Sequence, residues 1–159
     1  MISYQLIHSK LRVCGKHLHS PLLLLIRLFW GASFFATGMG KFAHLDKVTI
    51  FFHSLGLPFP ELNAILVASI ETIGGACLFL GFASRLVCIP LICIMIAAFL
   101  TADSAAVRTI FSDPQNFIHR DPFSFLFASI LVFVFGPGAL SLDYWLWDRK
   151  CEPYTNRRK

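Results

Sequence analysis

Two charged residues, Arg27 and Glu71, lie within otherwise apolar stretches of this 159-residue chain. The stretch ASIETIGGACLFLG (68–81) holds Glu71 and, shortly after it, two adjacent glycines. An unpaired charge at the centre of a membrane helix costs about 2.5 to 3.5 kcal/mol on insertion scales. We therefore expect both side chains to face the interior of a helix bundle, where they can pair, bind a ligand or move a proton.

Helical spacing places each of these charges on a face of small residues. The two faces are Arg27, Gly31 and Gly38, with Lys41 near the end of that segment, and Ala64, Ala68, Glu71 and Gly75. Small residues let membrane helices approach closely, so we expect Gly31, Gly38, Gly74 and Gly75 to serve helix packing.

The predicted depths of the two charges favour an ion pair between them. With a first helix that begins at residue 21, Glu71 lies about 16 Å and Arg27 about 9 Å from the same membrane surface. The sequence therefore predicts an Arg27–Glu71 pair. Buried pairs contribute little net stability, so this one either fixes helix register or forms a ligand or proton site, and both roles stay open.

A second group of polar residues lies near the ends of the apolar stretches. The secondary site candidates are Lys41, His44, Asp103 and His119. Clustered histidines and carboxylates can bind metal, but these come from separate segments without ligand spacing such as HExxH, and we predict no metal site. Asp121 is explained as a helix cap. Five cysteines without a CxxC pattern indicate no disulfide framework, and no catalytic motif is visible.

The composition indicates an integral membrane protein. Hydrophobic residues make up 56% of the chain and charged residues 14%, whereas a soluble domain usually carries about 25% charged residues. The net charge is +5, but the basic residues gather near the two ends of the chain. That distribution argues against a nucleic-acid partner, which needs a basic patch on a folded face, and favours the lipid bilayer.

Four stretches are long and apolar enough to span a bilayer, which takes about 20 residues. They cover about 21–40, 62–82, 86–102 and 122–140, within a domain at 20–143 that follows a segment at 1–19 and precedes a basic tail at 144–159. Ser20 and Asp121, each before a proline, are predicted N-caps. Apolar residues at helical spacing in 46–55 predict a short helix on the outer membrane surface. The expected fold is an all-α, four-helix membrane bundle.

Basic residues predict the orientation of this bundle. Nine lie on one side and four on the other: Lys10, Arg12, Lys16, Arg85, Arg149, Lys150, Arg157, Arg158 and Lys159, against Lys41, Lys47, Arg108 and Arg120. By the positive-inside rule, both termini are cytoplasmic. Tyr144, Trp145 and Trp147 then form an aromatic anchor at the inner interface.

Four pieces of sequence, taken in their order and spacing, carry a family resemblance. They are RLFWGASFFATGMGKF (27–42), SLGLP (54–58), ETIGGACLFLGFASR (71–85) and GPGALSLD (136–143). Together they resemble the DoxX family of small four-helix bacterial inner-membrane proteins. The resemblance implies that Arg27 and Glu71 are the family's intramembrane pair, Lys41 its first-helix terminal lysine and Arg85 the arginine after its second helix.

The resemblance also implies a function. DoxD-like relatives are subunits of a thiosulfate:quinone oxidoreductase, and other DoxX-like proteins are linked to complexes that handle oxidative or thiol stress. We therefore expect an accessory membrane subunit of a quinone-linked oxidoreductase, with a non-covalent quinone and a soluble or membrane redox partner. The alternative is a non-enzymatic binding or assembly factor for a lipid-like ligand or a partner helix. Whether the chain forms a homo-oligomer stays open.

Overall fold

The structure, a computed structural model, describes residues 2–138 and 140–146, with side chains from residue 20 onward except that of residue 144. The side chains of the N-terminal basic flank lie outside this description, as do Trp147 and the tail after residue 146. The predicted aromatic anchor is therefore described only at Trp145, which is exposed.

The described residues are helical and contain no strand. The helices are α1 (Ile2–Ala43), α2 (Leu45–Ser54), α3 (Pro60–Leu80), α4 (Ser84–Thr101), α5 (Ser104–Arg108), α6 (Pro114–Ile118), α7 (Asp121–Phe135) and α8 (Leu142–Leu146). Three segments are long and apolar enough to cross a membrane: Ser20–Ala43, Pro60–Leu80 and Ser84–Thr101. The predicted all-α membrane bundle is confirmed, and α2 is the predicted short helix.

Both predicted N-caps are wrong. Helix α1 continues from Ile2 through Pro21 without a break, because the residues before the proline include many good helix formers such as Leu, Lys, Arg and Gln. In α7 the N-cap is Arg120, whose backbone is extended, and Asp121 already belongs to the first turn. A carboxylate in that position still interacts favourably with the positive end of the helix.

Helix α7 is shorter than the predicted fourth span. It ends at Phe135, so its 15 residues rise about 22 Å, less than the roughly 30 Å of a bilayer's hydrocarbon core. Gly136 follows with φ of +81°, and Pro137 cannot continue the helix. The chain instead turns across the end of the bundle, where its carbonyl groups accept hydrogen bonds from Arg27.

Helices α1 and α3 pack antiparallel along their glycine faces. A Cβ atom added to Gly31 would lie 2.6 Å from the amide nitrogen of Phe79, and one added to Gly38 would lie 2.6 Å from that of Thr72. A Cβ on Gly75 would lie 2.8 Å from the carbonyl oxygen of Gly31. The two backbones are therefore in direct contact, as in other small-residue membrane interfaces.

The core lies between this helix pair and the α4–α7 pair. Its buried side chains are Phe34, Leu78, Cys88, Leu91, Met95 and Val132. Gly74 faces α4, where an added Cβ would lie 3.0 Å from the Leu91 side chain. Phe125 of α7 packs edge to face on Phe34, with ring centroids 4.6 Å apart. These contacts fix the helices that surround the candidate site.

Replacing Gly75 with alanine is expected to destabilise the bundle by about 1 to 3 kcal/mol, because the new Cβ meets only backbone atoms of α1. Unfolding of the purified protein in detergent micelles measures the change. Gly40→Ala is the matched control, since a Cβ there meets nothing within 4 Å; we expect it to be neutral or to stabilise by up to about 1 kcal/mol. Equal stability of the two variants would contradict the close α1–α3 contact.

Candidate functional site

Arg27 is buried at one end of the bundle, which we call the Arg27 end. Only 1% of its surface is exposed. Its Nη1 donates a hydrogen bond to the carbonyl oxygen of Pro137 (2.6 Å), and its Nη2 donates to that of Leu140 (2.7 Å). The predicted Arg27–Glu71 pair is therefore wrong, because the guanidinium binds the loop that follows α7.

The relative heights of α1 and α3 explain this correction. Gly81, the C-cap of α3, lies against the guanidinium, and a Cβ there would be 2.8 Å from Arg27 Cζ. Arg27 is thus level with the end of α3. Glu71 precedes that end by ten residues, or about 15 Å of helix. The predicted depths were misled by a first helix that was assumed to begin at residue 21.

Asp143 completes the Arg27 end by capping α4. Its Oδ1 accepts a hydrogen bond from the amide of Ala83 (2.6 Å), and its Oδ2 accepts one from the amide of Ser84 (2.8 Å). The amide of Asp143 donates to the carbonyl oxygen of Gly81 at 2.9 Å. Ala83 has no side-chain acceptor, so a carboxylate 60 residues away takes the place of a local N-cap residue.

Arg85, which also lies at this end, is exposed and sits beside Gly136. The described contacts at the Arg27 end therefore stabilise the fold. Arg27 and Asp143 tie the chain after α7 to the ends of α3 and α4.

Glu71 pairs with Lys41, near the opposite end of the bundle, which we call the Lys41 end. Lys41 Nζ donates to Glu71 Oε2 in an ion pair. The Glu71 side chain is 3% exposed and that of Lys41 30% exposed, so the carboxylate lies deep and the ammonium lies nearer the surface. Lys41 also occupies the last turn of α1, where the helix dipole favours a cation.

Two cavities meet at this ion pair. The larger one, which we call the large chamber, has a volume of about 580 Å³ and is lined by residues of α1, α2, α3, α4 and the start of α7. The smaller one, which we call the α2 chamber, has a volume of about 260 Å³ and lies between α2, α3 and α4. Four residues line both of them: Lys41, Glu71, Met95 and Ala98.

The large chamber combines a few polar groups with apolar walls. Besides the ion pair, Thr37 and Asp121 face it, while Val48 and Phe125 contribute apolar surface. Its volume lies within the roughly 300 to 1,000 Å³ that is usual for small-molecule sites. A ligand oxygen placed there can accept a hydrogen bond from the Lys41 ammonium, and a ligand hydroxyl can donate to the Glu71 carboxylate. Such charge-assisted bonds are stronger than neutral ones.

The other sequence candidates lie apart from both chambers. His44 and His119 are exposed, and Asp103 Oδ1 lies 3.4 Å from Arg120 Nη1 in an ion pair at the surface. Within residues 20–138 and 140–146, side chains of His, Cys, Asp and Glu do not gather into a group of three that could hold a metal ion. Asp121, in contrast, lines the large chamber, and interpreting it as a cap missed that position.

Comparison with known proteins adds the family context. The DoxX family model matches residues 22–104, a region that includes Arg27, Lys41 and Glu71. A Bacillus subtilis (strain 168) protein named "Putative oxidoreductase CatD" is 38% identical over 78 residues, which cover 49% of this chain and 57% of that protein. The match therefore spans little more than half the length of this relative.

A second relative is matched over more of its length. It is the uncharacterized membrane protein Rv3486 of Mycobacterium tuberculosis (strain ATCC 25618 / H37Rv), which is 27% identical over 135 residues, or 77% of this chain and 80% of that protein. No solved structure matches the chain.

Proposed function

Because the chain belongs to the DoxX family of membrane proteins, we propose that it is the membrane subunit of a quinone-linked oxidoreductase complex. In this proposal, the large chamber binds the quinone head group beside Lys41 and Glu71. One observation carries the proposal: a deeply buried carboxylate and its ammonium partner lie where two largely apolar cavities meet. The B. subtilis relative has an oxidoreductase name, which supports a redox setting.

The chemistry of a quinone suits the two charged groups. Reduction of a quinone to a quinol adds two electrons and two protons and converts both carbonyl oxygens into hydroxyl groups. The Lys41 ammonium donates a hydrogen bond to a carbonyl oxygen of the quinone, and Glu71 accepts one from a quinol hydroxyl. Glu71 and Lys41 also provide a path for the protons, while the electrons come from a redox centre on a partner protein.

The ion pair is more readily explained by a ligand than by stability alone. Desolvating two charges costs about as much as their attraction returns, so an apolar pair of similar volume would hold the helices at least as well. An ionisable residue inside a membrane protein is a functional candidate for the same reason. The adjoining large chamber provides space for a ligand beside this pair.

The proposed orientation places the Arg27 end at the cytoplasmic surface of a bacterial inner membrane, with both termini inside. The distribution of basic residues supports it. The Lys41 end and its chambers then lie in the outer half of the bilayer. A quinone would enter from the lipid, and its protons would be exchanged with the outer side.

A second candidate function, a non-enzymatic binding or assembly factor, draws on the same chambers. Their largely apolar walls suit a lipid-like ligand as well as a quinone. In that case Lys41 would bind a phosphate or carboxylate head group, and Glu71 would only position the lysine.

Identification of the copurifying ligand separates these two functions. The protein is extracted from its native membranes in mild detergent, examined by native mass spectrometry, and then treated with organic solvent to release its ligands. We expect about one quinone per chain, with an absorbance spectrum that changes on reduction by borohydride. A stoichiometric lipid in place of quinone, even after the protein is incubated with excess quinone, would refute the oxidoreductase proposal and favour the binding factor.

A further inference from the structure

We propose that the α2 chamber binds the flexible apolar chain of the ligand whose polar head lies in the large chamber. The ligand is then an amphipathic molecule with a chain, and the walls of the α2 chamber determine which chains it accepts. This inference rests on the proposed function for the identity of the head group, but the chain could equally be isoprenoid or acyl.

The two chambers are adjacent at the ion pair. Because Lys41, Glu71, Met95 and Ala98 line both cavities, a head group that contacts the pair lies at the entrance to the α2 chamber. The volume of the α2 chamber, about 260 Å³, is below the range of roughly 300 to 1,000 Å³ that holds a complete ligand. The α2 chamber is therefore suited to one part of a molecule whose remainder lies in the large chamber.

The walls of the α2 chamber are mostly apolar. On the α4 side, small residues leave space, while α2 and α3 supply aromatic and aliphatic surface; the relevant residues are Ala97, Ala98, Ala102, Phe52, Leu55 and Val67. Apart from the shared ion pair, its polar lining is limited to Asn63 and Thr101. The Thr101 hydroxyl already donates to the Ala97 carbonyl oxygen, and the Asn63 amide donates to that of Pro58. A wall whose two polar side chains already donate to backbone carbonyl oxygens favours hydrocarbon.

Helix α2 presents partly exposed aromatic surface to the α2 chamber. None of its residues is fully buried, yet Phe52 is half-buried and faces the chamber. A bound chain would cover more of this aromatic surface. A chain that enters from the bilayer is already in hydrocarbon, so its gain comes from close packing against this surface, where many small dispersion contacts add up.

The test compares quinones with and without a chain. Wild-type protein and variants in lipid nanodiscs are titrated with a chainless benzoquinone, the same quinone bearing a decyl chain, and decanoic acid. Partition of each ligand into lipid is the same for all variants, so it cancels from their comparison. With each ligand expressed as its mole fraction in the lipid, wild-type protein should bind the decyl quinone at least about tenfold more tightly than the chainless one.

Two variants change the α2 chamber from opposite directions. Val67→Phe fills it, and Phe52→Ala removes part of its wall on a helix without buried residues, which keeps the test usable if Val67→Phe fails to fold. Both should reduce the advantage of the decyl chain by at least about fivefold, through overpacking in one variant and lost packing in the other, and leave chainless binding unchanged. Val134→Phe is the matched control, because Val134 is 58% exposed and lies on α7 away from the chamber.

The outcomes separate this inference from the proposed function. If quinones bind but neither variant alters the effect of the chain, the chain site is refuted and the quinone function stands. If decanoic acid binds with the same dependence on Val67 and Phe52 while both quinones fail to bind, the chain site stands and the quinone function is refuted. Absence of binding by all three ligands refutes both.

Discussion

The double variant Lys41→Met/Glu71→Met is expected to fold and insert normally but to lose quinone binding. Methionine is similar in volume to both residues, and replacing a buried ion pair with apolar side chains is often neutral or stabilising by about 1 to 4 kcal/mol. The ligand would lose charge-assisted hydrogen bonds, each contributing about 1.5 to 3 kcal/mol. We therefore expect the affinity for quinone to fall by about tenfold to a hundredfold. Quinone titration in nanodiscs measures this change.

Replacing Lys41 alone would give an ambiguous result. Lys41→Met leaves the Glu71 carboxylate buried without its partner, which costs about 3 to 5 kcal/mol, so a loss of binding there could follow from unfolding alone. Glu71→Gln keeps the shape of the side chain and should insert normally while quinone affinity falls by about tenfold, because one charge-assisted hydrogen bond is lost. If the double variant were stable and still bound quinone like the wild type, the pair would serve only to fix helix register.

The sequence allowed correct prediction of features that depend on local spacing. Three of the four predicted spans follow from apolar length. The helix at 45–54 and the small-residue faces of α1 and α3 follow from periodicity, which neighbouring residues determine. Both charges were also correctly expected to be buried, and Arg27 and Glu71 are 1% and 2% exposed. Burial follows from the cost of placing a charge in lipid, whatever its partner turns out to be.

The partners of these charges could not be predicted in the same way, because they depend on the height of one helix relative to another. A shift of about four turns changes the partner of Glu71 from Arg27 to Lys41, and nothing local to Glu71 reports that shift. One signal did exist: Lys41 lies 14 residues after Arg27, so both belong to the same face of α1. On spacing alone, Lys41 was therefore as reasonable a partner for Glu71 as Arg27.

The contacts of Asp143 show a second limit. Ala83 and Asp143 are 60 positions apart, and a remote cap leaves no trace in the sequence around the helix that it caps. The chambers could not be predicted from the sequence either, because they arise where alanines of α4 face larger side chains across the bundle. Position along a helix is readable from sequence, whereas empty space is a property of the assembled helices.

The two ends of the bundle consequently differ in what they can do. At the Arg27 end, the guanidinium and Asp143 are engaged by backbone groups of the loops. At the Lys41 end, the pair borders space that a ligand can enter. The two intramembrane charges that the family resemblance treats as one set therefore belong to separate regions, with separate expected consequences of mutation.

Arg27→Met is accordingly expected to destabilise the protein by about 3 kcal/mol while the affinity of the folded fraction for quinone stays within twofold of the wild type. The substitution leaves the carbonyl oxygens of Pro137 and Leu140 without their donor, and a buried group left unsatisfied costs about 1 to 3 kcal/mol. Unfolding in detergent micelles measures the stability, and titration below the unfolding transition measures the affinity.

Arg85→Met provides the control for this prediction, because Arg85 lies at the same end of the bundle but is exposed. Its removal should change stability by no more than about 0.5 kcal/mol. A loss of quinone binding in Arg27→Met with unchanged stability would mean that Arg27 acts on the ligand directly. Because about 15 Å of helix separates the level of Arg27 from Glu71, that result would require a second binding region at the Arg27 end.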